Sequence, residues 1–259
     1  MSIFANNNFL TELSFDMPGA YHMGRDLELA EKLRDDPNAS NILRFYSWKP
    51  YCISIGYQQD ESSIDKDVCR NAGVDIVRRP TGGRAVYHAE ELTYAVIMRF
   101  APGEGIYAVH NKIAESLLEL LQPICNNELE LSSPVKLNIV GRTLSPPVSS
   151  TPSIREAYKP GTLTNIACFT STARYEITWR GKKVVGSAQR RFGNAVLQHG
   201  SILLGDEHLR LPEFLKISDE EKIQMREMLK AESATVSEIC KRILIPGEMT
   251  EYMMESVSI

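Results

Sequence analysis

Cysteine is sparse and unpatterned in this 259-residue chain: Cys52, Cys69, Cys125, Cys168 and Cys240 are odd in number, with no CxxC pair and no Cys/His ligand spacing. That argues against a disulfide framework or a structural zinc site, and for a reducing compartment. Long apolar runs are absent, and the opening Met1-Ser2-Ile3-Phe4-Ala5-Asn6 has no basic start followed by an apolar stretch. Neither a membrane span nor a secretory leader is expected, so the chain reads as soluble and cytoplasmic. A strong charge of either sign is also missing. The balance of −4 gives no general reason to bind nucleic acid, for which a basic domain with interleaved aromatics is expected. No internal repeat or low-complexity tract is visible.

What is present suits an ordinary globular protein. With 43% hydrophobic and 24% charged residues, the chain can bury one large core, or one core plus a small appendage. Helical periodicity marks residues 24–34 and, more clearly, 107–121, where Val109, Ile113, Leu117 and Leu120 share a face. Strands are expected at 43–46, 52–57, 74–78, 92–99 and 195–204. Alternation is cleanest at Ala173, Tyr175, Ile177 and Trp179, with Arg174, Glu176, Thr178 and Arg180 facing the other way. Arg180-Gly181 then reads as a hairpin turn into a strand carrying Lys183. Pro, Ser and Thr dominate between Gly141 and Gly161, a composition that predicts a loop. After Asp206 the pattern turns helical, with capping-box spacing at Ser218/Glu221 and Thr235/Glu238 and a stop at Pro246-Gly247. The expected organisation is a mixed α/β domain over residues 1–205 and a short helical C-terminal extension over 206–259.

Two segments carry chemistry. The first, Arg78-Arg79-Pro80-Thr81-Gly82-Gly83-Arg84 with His88, brings two arginines into a tight turn whose missing Cβ atoms let a ligand approach backbone N–H groups. The second runs from Gly181-Lys182-Lys183 through Gly186-Ser187-Ala188 and Arg190-Arg191 to Gln198-His199-Gly200. Net positive charge is concentrated in these segments, where an anionic ligand or acidic partner would be drawn. Each is weak alone: Gly-Gly is a common turn, His88 could be a hydrogen-bonded structural histidine, and Lys183 a surface lysine on a strand.

Together they resemble the biotin/lipoate protein ligase superfamily. An arginine-rich strand and glycine turn like 78–83, a histidine like His88 and a lysine three residues before Gly-Ser-Ala form that family's acyl-binding tunnel. The resemblance extends from Leu43-Arg44-Phe45-Tyr46-Ser47-Trp48 and Ser54-Ile55-Gly56-Tyr57-Gln58 to residues 197–204. It implies a mixed β-sheet flanked by helices, like the catalytic domains of biotin ligases and class II aminoacyl-tRNA synthetases. The implied substrate-binding residues are Trp48, Arg79, Thr81, Gly82, Gly83, Arg84, His88, Gly186, Ser187, Ala188, Gln198, His199 and Gly200, with no metal ligands.

Two departures from the ATP-using lipoate ligases point to the related cysteine-dependent octanoyltransferases. Arg84 stands where ligases typically carry a third glycine, and Ala167-Cys168-Phe169 falls where those transferases hold a nucleophilic cysteine. Cys168 and Lys183 are then the expected catalytic pair. Octanoyl would pass from acyl carrier protein to Cys168, thioester for thioester, and then to a lysine of a lipoyl-domain protein such as the glycine cleavage H protein or E2. No cofactor is needed, and the enzyme is expected to act as a monomer. Lys183 would favour the thiolate and donate to the developing oxyanion. Cys168 could instead be a buried inert thiol. The alternatives are an ATP- and Mg-dependent lipoate–protein ligase, an amidotransferase between lipoyl domains, and a non-catalytic lipoyl-domain or ligand-binding protein.

Overall fold

The structure, a computed structural model, describes residues 2–6, 9–101, 103–132 and 176–257. Among the described residues, ten strands form two sheets. β1 (Phe9–Met17), β2 (Asn41–Trp48), β6 (Glu91–Arg99), β7 (Glu130–Leu131), β8 (Ile177–Trp179), β9 (Lys182–Phe192) and β10 (Ala195–Leu203) make the larger one, in the order β1-β2-β6-β10-β9-β8-β7. β3 (Cys52–Ile55), β4 (Asp75–Arg78) and β5 (Val86–His88) make the smaller one, in the order β4-β3-β5. The helices are α1 (Gly19–Asp35), α2 (Lys66–Asn71), α3 (Ile106–Leu121), α4 (Asp219–Glu232), α5 (Val236–Cys240) and α6 (Pro246–Val257). This is the expected mixed sheet flanked by helices.

The centre of the larger sheet is apolar on both faces, and the period of two along a strand sorts its side chains into two cores. On β6, Leu92, Tyr94 and Val96 join the core covered by α3 and the C-terminal helices. Ala95 and Ile97 join the core under α1. β1 and β2 are parallel, so their connection needs a crossover, which α1 supplies. Gly19 lets α1 settle onto the smaller sheet, since a Cβ there would lie 2.6 Å from Cys52 Sγ.

The four apolar positions of α3 all face the core, as their spacing predicts. The helix expected at 24–34 is longer, starting directly after Pro18. Strand 52–57 is shorter, ending at Ile55 before the turn at Gly56. Pro246-Gly247 is not a stop but the beginning of α6: proline's fixed φ and missing N–H suit the first helical position. Ser218 and Glu221 form the expected reciprocal capping box, while Thr235 caps α5 by accepting from the Glu238 N–H. Residues 173–175 and the 141–161 loop lie outside the described residues. Glu176, just before β8, and Thr178 within it are both buried. The segment after α4 runs beside β9, with the Ala234 N–H donating to Lys183 O at 3.0 Å. Among the described residues no helix is long and apolar enough to cross a membrane.

Candidate active site

A cavity lies over the large sheet between β2 and β9, with residues of the smaller sheet on its opposite wall. Strand register sets its floor. Ser201 on β10 pairs with Thr93 on β6 and Gly186 on β9, and His199 pairs with Ala95 and Ala188. Gly186 and Ala188 leave room above β9, so a slender ligand can lie on the strand.

The glycine turn is held by the side chain of Arg79, which is 4% exposed. Its Nε donates to Gly82 O, Nη1 to Ser54 O and Oγ, and Nη2 to Gly82 O and Arg84 O, at 2.7–3.1 Å. All five N–H groups are therefore engaged. Gly83 has φ +97°, a conformation glycine tolerates, and its carbonyl is so close to Gly56 that a Cβ on Gly56 would stand 2.0 Å from it. Arg78 donates to the carbonyls of Gly56, Tyr57 and Gln59, and Arg190 to Pro80 O. The arginines that look like an anion site in sequence spend donors on the turn itself.

Two chains of hydroxyl, imidazole and carboxylate flank the cavity. In one, Ser54 Oγ accepts from Arg79, so its hydrogen goes to His88 Nε2 at 2.7 Å; His88 Nδ1 then donates to Glu91 Oε1 at 2.7 Å. Thr93 Oγ1 and Ser201 Oγ donate to the same carboxylate oxygen at 2.5 and 2.9 Å. The Trp48 indole N–H donates to Thr93 Oγ1 at 2.7 Å, and its ring stacks on His88 with centroids 4.0 Å apart. In the other chain Asp26 Oδ2 accepts from His199 Nδ1 at 2.8 Å, and His199 Nε2 lies 2.6 Å from Thr81 Oγ1. Arg44 pairs with Asp26, and Tyr46 OH donates to it at 3.0 Å. Burial opposes the Asp26 charge, but hydrogen bonding from His199 and the Arg44 guanidinium outweigh it and hold the carboxyl below its ordinary range. Burial also lowers His199, against the pull of Asp26, so the imidazole is neutral and Thr81 donates to it. The glycine turn is thereby fastened to a buried ion pair.

Lys183 lines the cavity and is 5% exposed. It forms an ion pair with Glu176, which is equally buried. The sequence contains the signal for this partner: a hairpin turning at Arg180-Gly181 brings the strand before it alongside Lys183, as the Thr178–Lys183 register shows.

The cavity brings together Trp48, Arg79, His88, Lys183, Gly186, Ser187, Ala188, His199 and Gly200. Thr81 sits behind His199, and Gln198 is buried behind Tyr94, to which its Nε2 donates at 3.0 Å. Gly82 and Gly83 are exposed on the turn, and Arg84 is half-buried with its carbonyl held by Arg79. Cys168 lies outside the described residues. Glu91 and Tyr94, which stand in the Glu91-Leu92-Thr93-Tyr94 stretch that resembles the octanoyltransferases, join the site, and Asp26 and Glu176 complete it without having been singled out in sequence.

A mixed sheet carrying a buried lysine and a fastened glycine turn over one cavity defines an acyl-handling catalytic domain of the biotin/lipoate ligase superfamily. The fold is that of a bipartite lipoate protein ligase from Thermoplasma acidophilum (TM-score 0.64, 18% identity, 96% of this chain and 83% of that one). It is equally that of a lipoate-protein ligase A bound with ATP (TM-score 0.62, 23% identity, 97% and 83%). Residues 18–258 match the lipoyl protein ligase A/B catalytic domain, and the chain belongs to that family.

Within the family the chain lies close to the LipM-type octanoyltransferases. It is 42% identical over 163 residues to octanoyltransferase LipM of Moorella thermoacetica, 62% of this chain and 53% of the relative. Identity is 34% over 203 residues with the LipM of an Exiguobacterium species (78% and 68%), and 31% over 252 residues with that of Carboxydothermus hydrogenoformans (96% and 84%). The chain thus spans about half the length of the first of these relatives and more of the other two. Family membership gives it an enzymatic acyltransferase or ligase role.

Proposed function

We propose that the chain is an octanoyltransferase, moving octanoyl from acyl carrier protein through a thioester on Cys168 to a lysine of a lipoyl-domain protein such as the glycine cleavage H protein or E2. The observation that carries this reading is the match of 31–42% identity to relatives named octanoyltransferase LipM. In the first half-reaction the Cys168 thiolate adds to the donor's thioester carbonyl and the donor thiolate leaves. In the second, the acceptor amine adds to the Cys168 thioester, loses a proton and expels the Cys168 thiolate. Exchange of thioesters is nearly balanced and amide formation is downhill, so no nucleotide is required. The full engagement of Arg79 by Ser54, Gly82 and Arg84 favours acyl transfer over binding of a triphosphate.

Lys183 serves as the cation beside the reacting carbonyl, held by Glu176 and by the backbone contact from Ala234. In this assignment residues 1–205 carry the chemistry and the 206–259 extension braces Lys183. The reaction belongs in the cytoplasm, where both protein partners are charged with their acyl groups. The test is intact mass of wild type and Cys168→Ser after exposure to octanoyl acyl carrier protein, followed by a lipoyl domain. A gain of one octanoyl group on wild type alone, then its loss to the domain, is the expected result. Lipoate-dependent ATP/pyrophosphate exchange that survives Cys168→Ala would replace this reading with the ligase.

A further inference from the structure

We infer that His208 is a positioning residue for Lys183: through Ser233 it latches the C-terminal extension onto the strand that carries the lysine. This rests on the acyl-transfer reading above, in which the Lys183 ammonium stands beside the reacting carbonyl.

The need for a latch begins in sheet register. β10 pairs with β9 from Ala195–Phe192 as far as Ile202–Val185, so Lys182, Lys183 and Val184 lie past the end of that ladder. On the other side of β9 the register with β8 is interrupted at the same place, between the Ile177–Val185 and Thr178–Lys183 pairs. β10 turns away here: the N–H groups of Leu204 and Gly205 both donate to Glu90 O, at 3.0 and 2.9 Å. A strand end that has left its ladder must find other backbone partners, and a side chain on it is aimed no better than that backbone is held.

The extension supplies the missing partner. Ser233, which caps the C-terminus of α4, forms a parallel bridge with Lys183, and the Ala234 N–H donates to Lys183 O at 3.0 Å. Lys182 Nζ donates to Lys230 O of the same helix at 3.2 Å. Ser233 is itself fixed, because its N–H and its Oγ both donate to Leu229 O, at 3.0 and 2.6 Å. With its one hydroxyl hydrogen spent there, Ser233 Oγ accepts from His208 Nε2 at 2.8 Å. The other ring nitrogen, Nδ1, stands 3.1 Å from Gly205 O. His208 therefore spans from Gly205, just past the end of β10, to Ser233, where the extension joins β9.

Burial gives the contact its weight. His208 and Ser233 are both buried, so neither can exchange its partner for water without opening the joint. Leu229, before the joint, packs in the core around the smaller sheet; Ala234 and Val236, after it, pack with Val184 and Val185 in the core under α3. The two cores hold the chain on either side of Ser233, and His208 fixes the turn between them. Without that contact Ser233-Ala234 can shift against β9, and the Lys183 backbone shifts with it while Glu176 still holds the ammonium. What is lost is aim at the carbonyl, not room for the acyl chain.

The test is single-turnover acylation by octanoyl-pantetheine thioester, followed by intact mass, in wild type, His208→Phe, His208→Gln, Ser233→Ala and the His208→Phe/Ser233→Ala double variant. Phenylalanine keeps the bulk of the ring and removes the donor, whereas glutamine keeps a donor at similar reach. Misplacing a catalytic group by about 1 Å can cost about 100-fold, so His208→Phe should acylate about 10- to 100-fold more slowly at saturating thioester. The half-saturating concentration should stay within about twofold of wild type, since only the transition state is affected. His208→Gln restores most of the rate, and Ser233→Ala resembles His208→Phe. The double variant is no slower than the slower single variant, because the two residues act as one contact. His208→Phe within about threefold of wild type, a rate loss carried by the half-saturating concentration, His208→Gln as slow as His208→Phe, or losses that multiply in the double variant would overturn the inference. If His208→Phe does not fold, Ser233→Ala decides by the same rate criteria. If wild type takes no acyl group from the thioester, the transfer reading has failed. The same variants compared in transfer from octanoate and ATP to a lipoyl domain then decide the role of His208 by the same criteria.

Discussion

Gly200→Ala is the substitution on which the geometry of the site makes its firmest demand. The added methyl would stand 2.2 Å from Gly186 O and 2.8 Å from Tyr94 Cε1, and both strands bearing those atoms are hydrogen-bonded to β10 along its length. The carbonyl cannot swing away without breaking the β9–β10 ladder, so the Tyr94 ring must move and β9 must bow. Overpacking of this kind costs about 1–3 kcal/mol, here near the upper end because one neighbour is backbone. Loss of the hydrogen bond between Tyr94 OH and Ser187 Oγ adds about 1 kcal/mol. The expected destabilisation is about 3–4 kcal/mol, a fall in Tm of about 6–16 °C for a domain of this size. Thermal melting by circular dichroism measures it, with Gly24→Ala as control: no atom lies within 4 Å of a Cβ at that helical position, so alanine there should raise Tm by about 1–4 °C. A Gly200→Ala protein melting within about 2 °C of wild type would refute the claim that the Tyr94–Gly200–Ser187 row is close-packed.

Three further outcomes are expected. Glu176→Gln leaves the Lys183 ammonium short of its buried counter-charge and should cost about 3 kcal/mol in urea unfolding, part of which the Lys183→Met/Glu176→Gln double variant recovers; a single variant as stable as wild type would count against the pair. Burial, outweighing the hydrogen bond to Ser47 O, brings His22 down to about 4, so the unfolded chain, titrating near 6.5, takes the proton first. Its contribution is complete above that value and lost as pH falls toward 4. Stability at pH 5 should be about 2 kcal/mol lower from this residue alone, and His22→Gln should show a correspondingly flatter pH dependence of unfolding. Gly82→Ala meets no atom within 4 Å and should fold with an unchanged Tm; if substrate lies against the turn, its KM for the acyl donor rises several-fold, and an unchanged KM would remove Gly82 from the binding surface.

The elements legible in sequence are those whose pattern reports burial directly. α3 shows its apolar stripe, and the strands at 92–99 and 195–204 are rich in apolar residues because both faces of the sheet are covered, the second being interrupted by Gln198-His199-Gly200-Ser201 where it floors the cavity. β1 escaped notice because it is an edge strand: Leu10 and Leu13 are exposed, while Phe9 and Phe15 only partly reach the core. Pro246-Gly247 misled because proline ends one helix and begins another equally well, and only the following Met249 and Met253, buried together, decide which. The site divides in the same way. Lys183, His88 and the glycine turn are contiguous motifs and could be found. Their partners are set by register and crossover: Asp26 meets His199 across 173 positions, and Tyr94 meets Ser187 across 93. No local pattern carries such pairs, though a glycine at position 200 inside an apolar strand was a mark of close approach.

The sequence concentrates arginine around the glycine turn, and charge alone would make that turn a phosphate site. Donor geometry points elsewhere. Arg79 directs every N–H to Ser54, Gly82 and Arg84; Arg78 and Arg190 also hold carbonyls of 56–59 and Pro80. A guanidinium so engaged still contributes field, but its fork no longer faces outward to grip an anion bidentately, which is where most of arginine's advantage over lysine lies. The polar groups of Ser54, His88, Glu91, Thr81 and Asp26 are likewise paired with one another. The lysine that lines the cavity has its charge balanced by Glu176. A cavity whose lysine is balanced and whose arginines are engaged by carbonyls suits an oxygen that is uncharged in the ground state and anionic only in passing. That is the electrostatic requirement of a thioester carbonyl, and not of a polyphosphate.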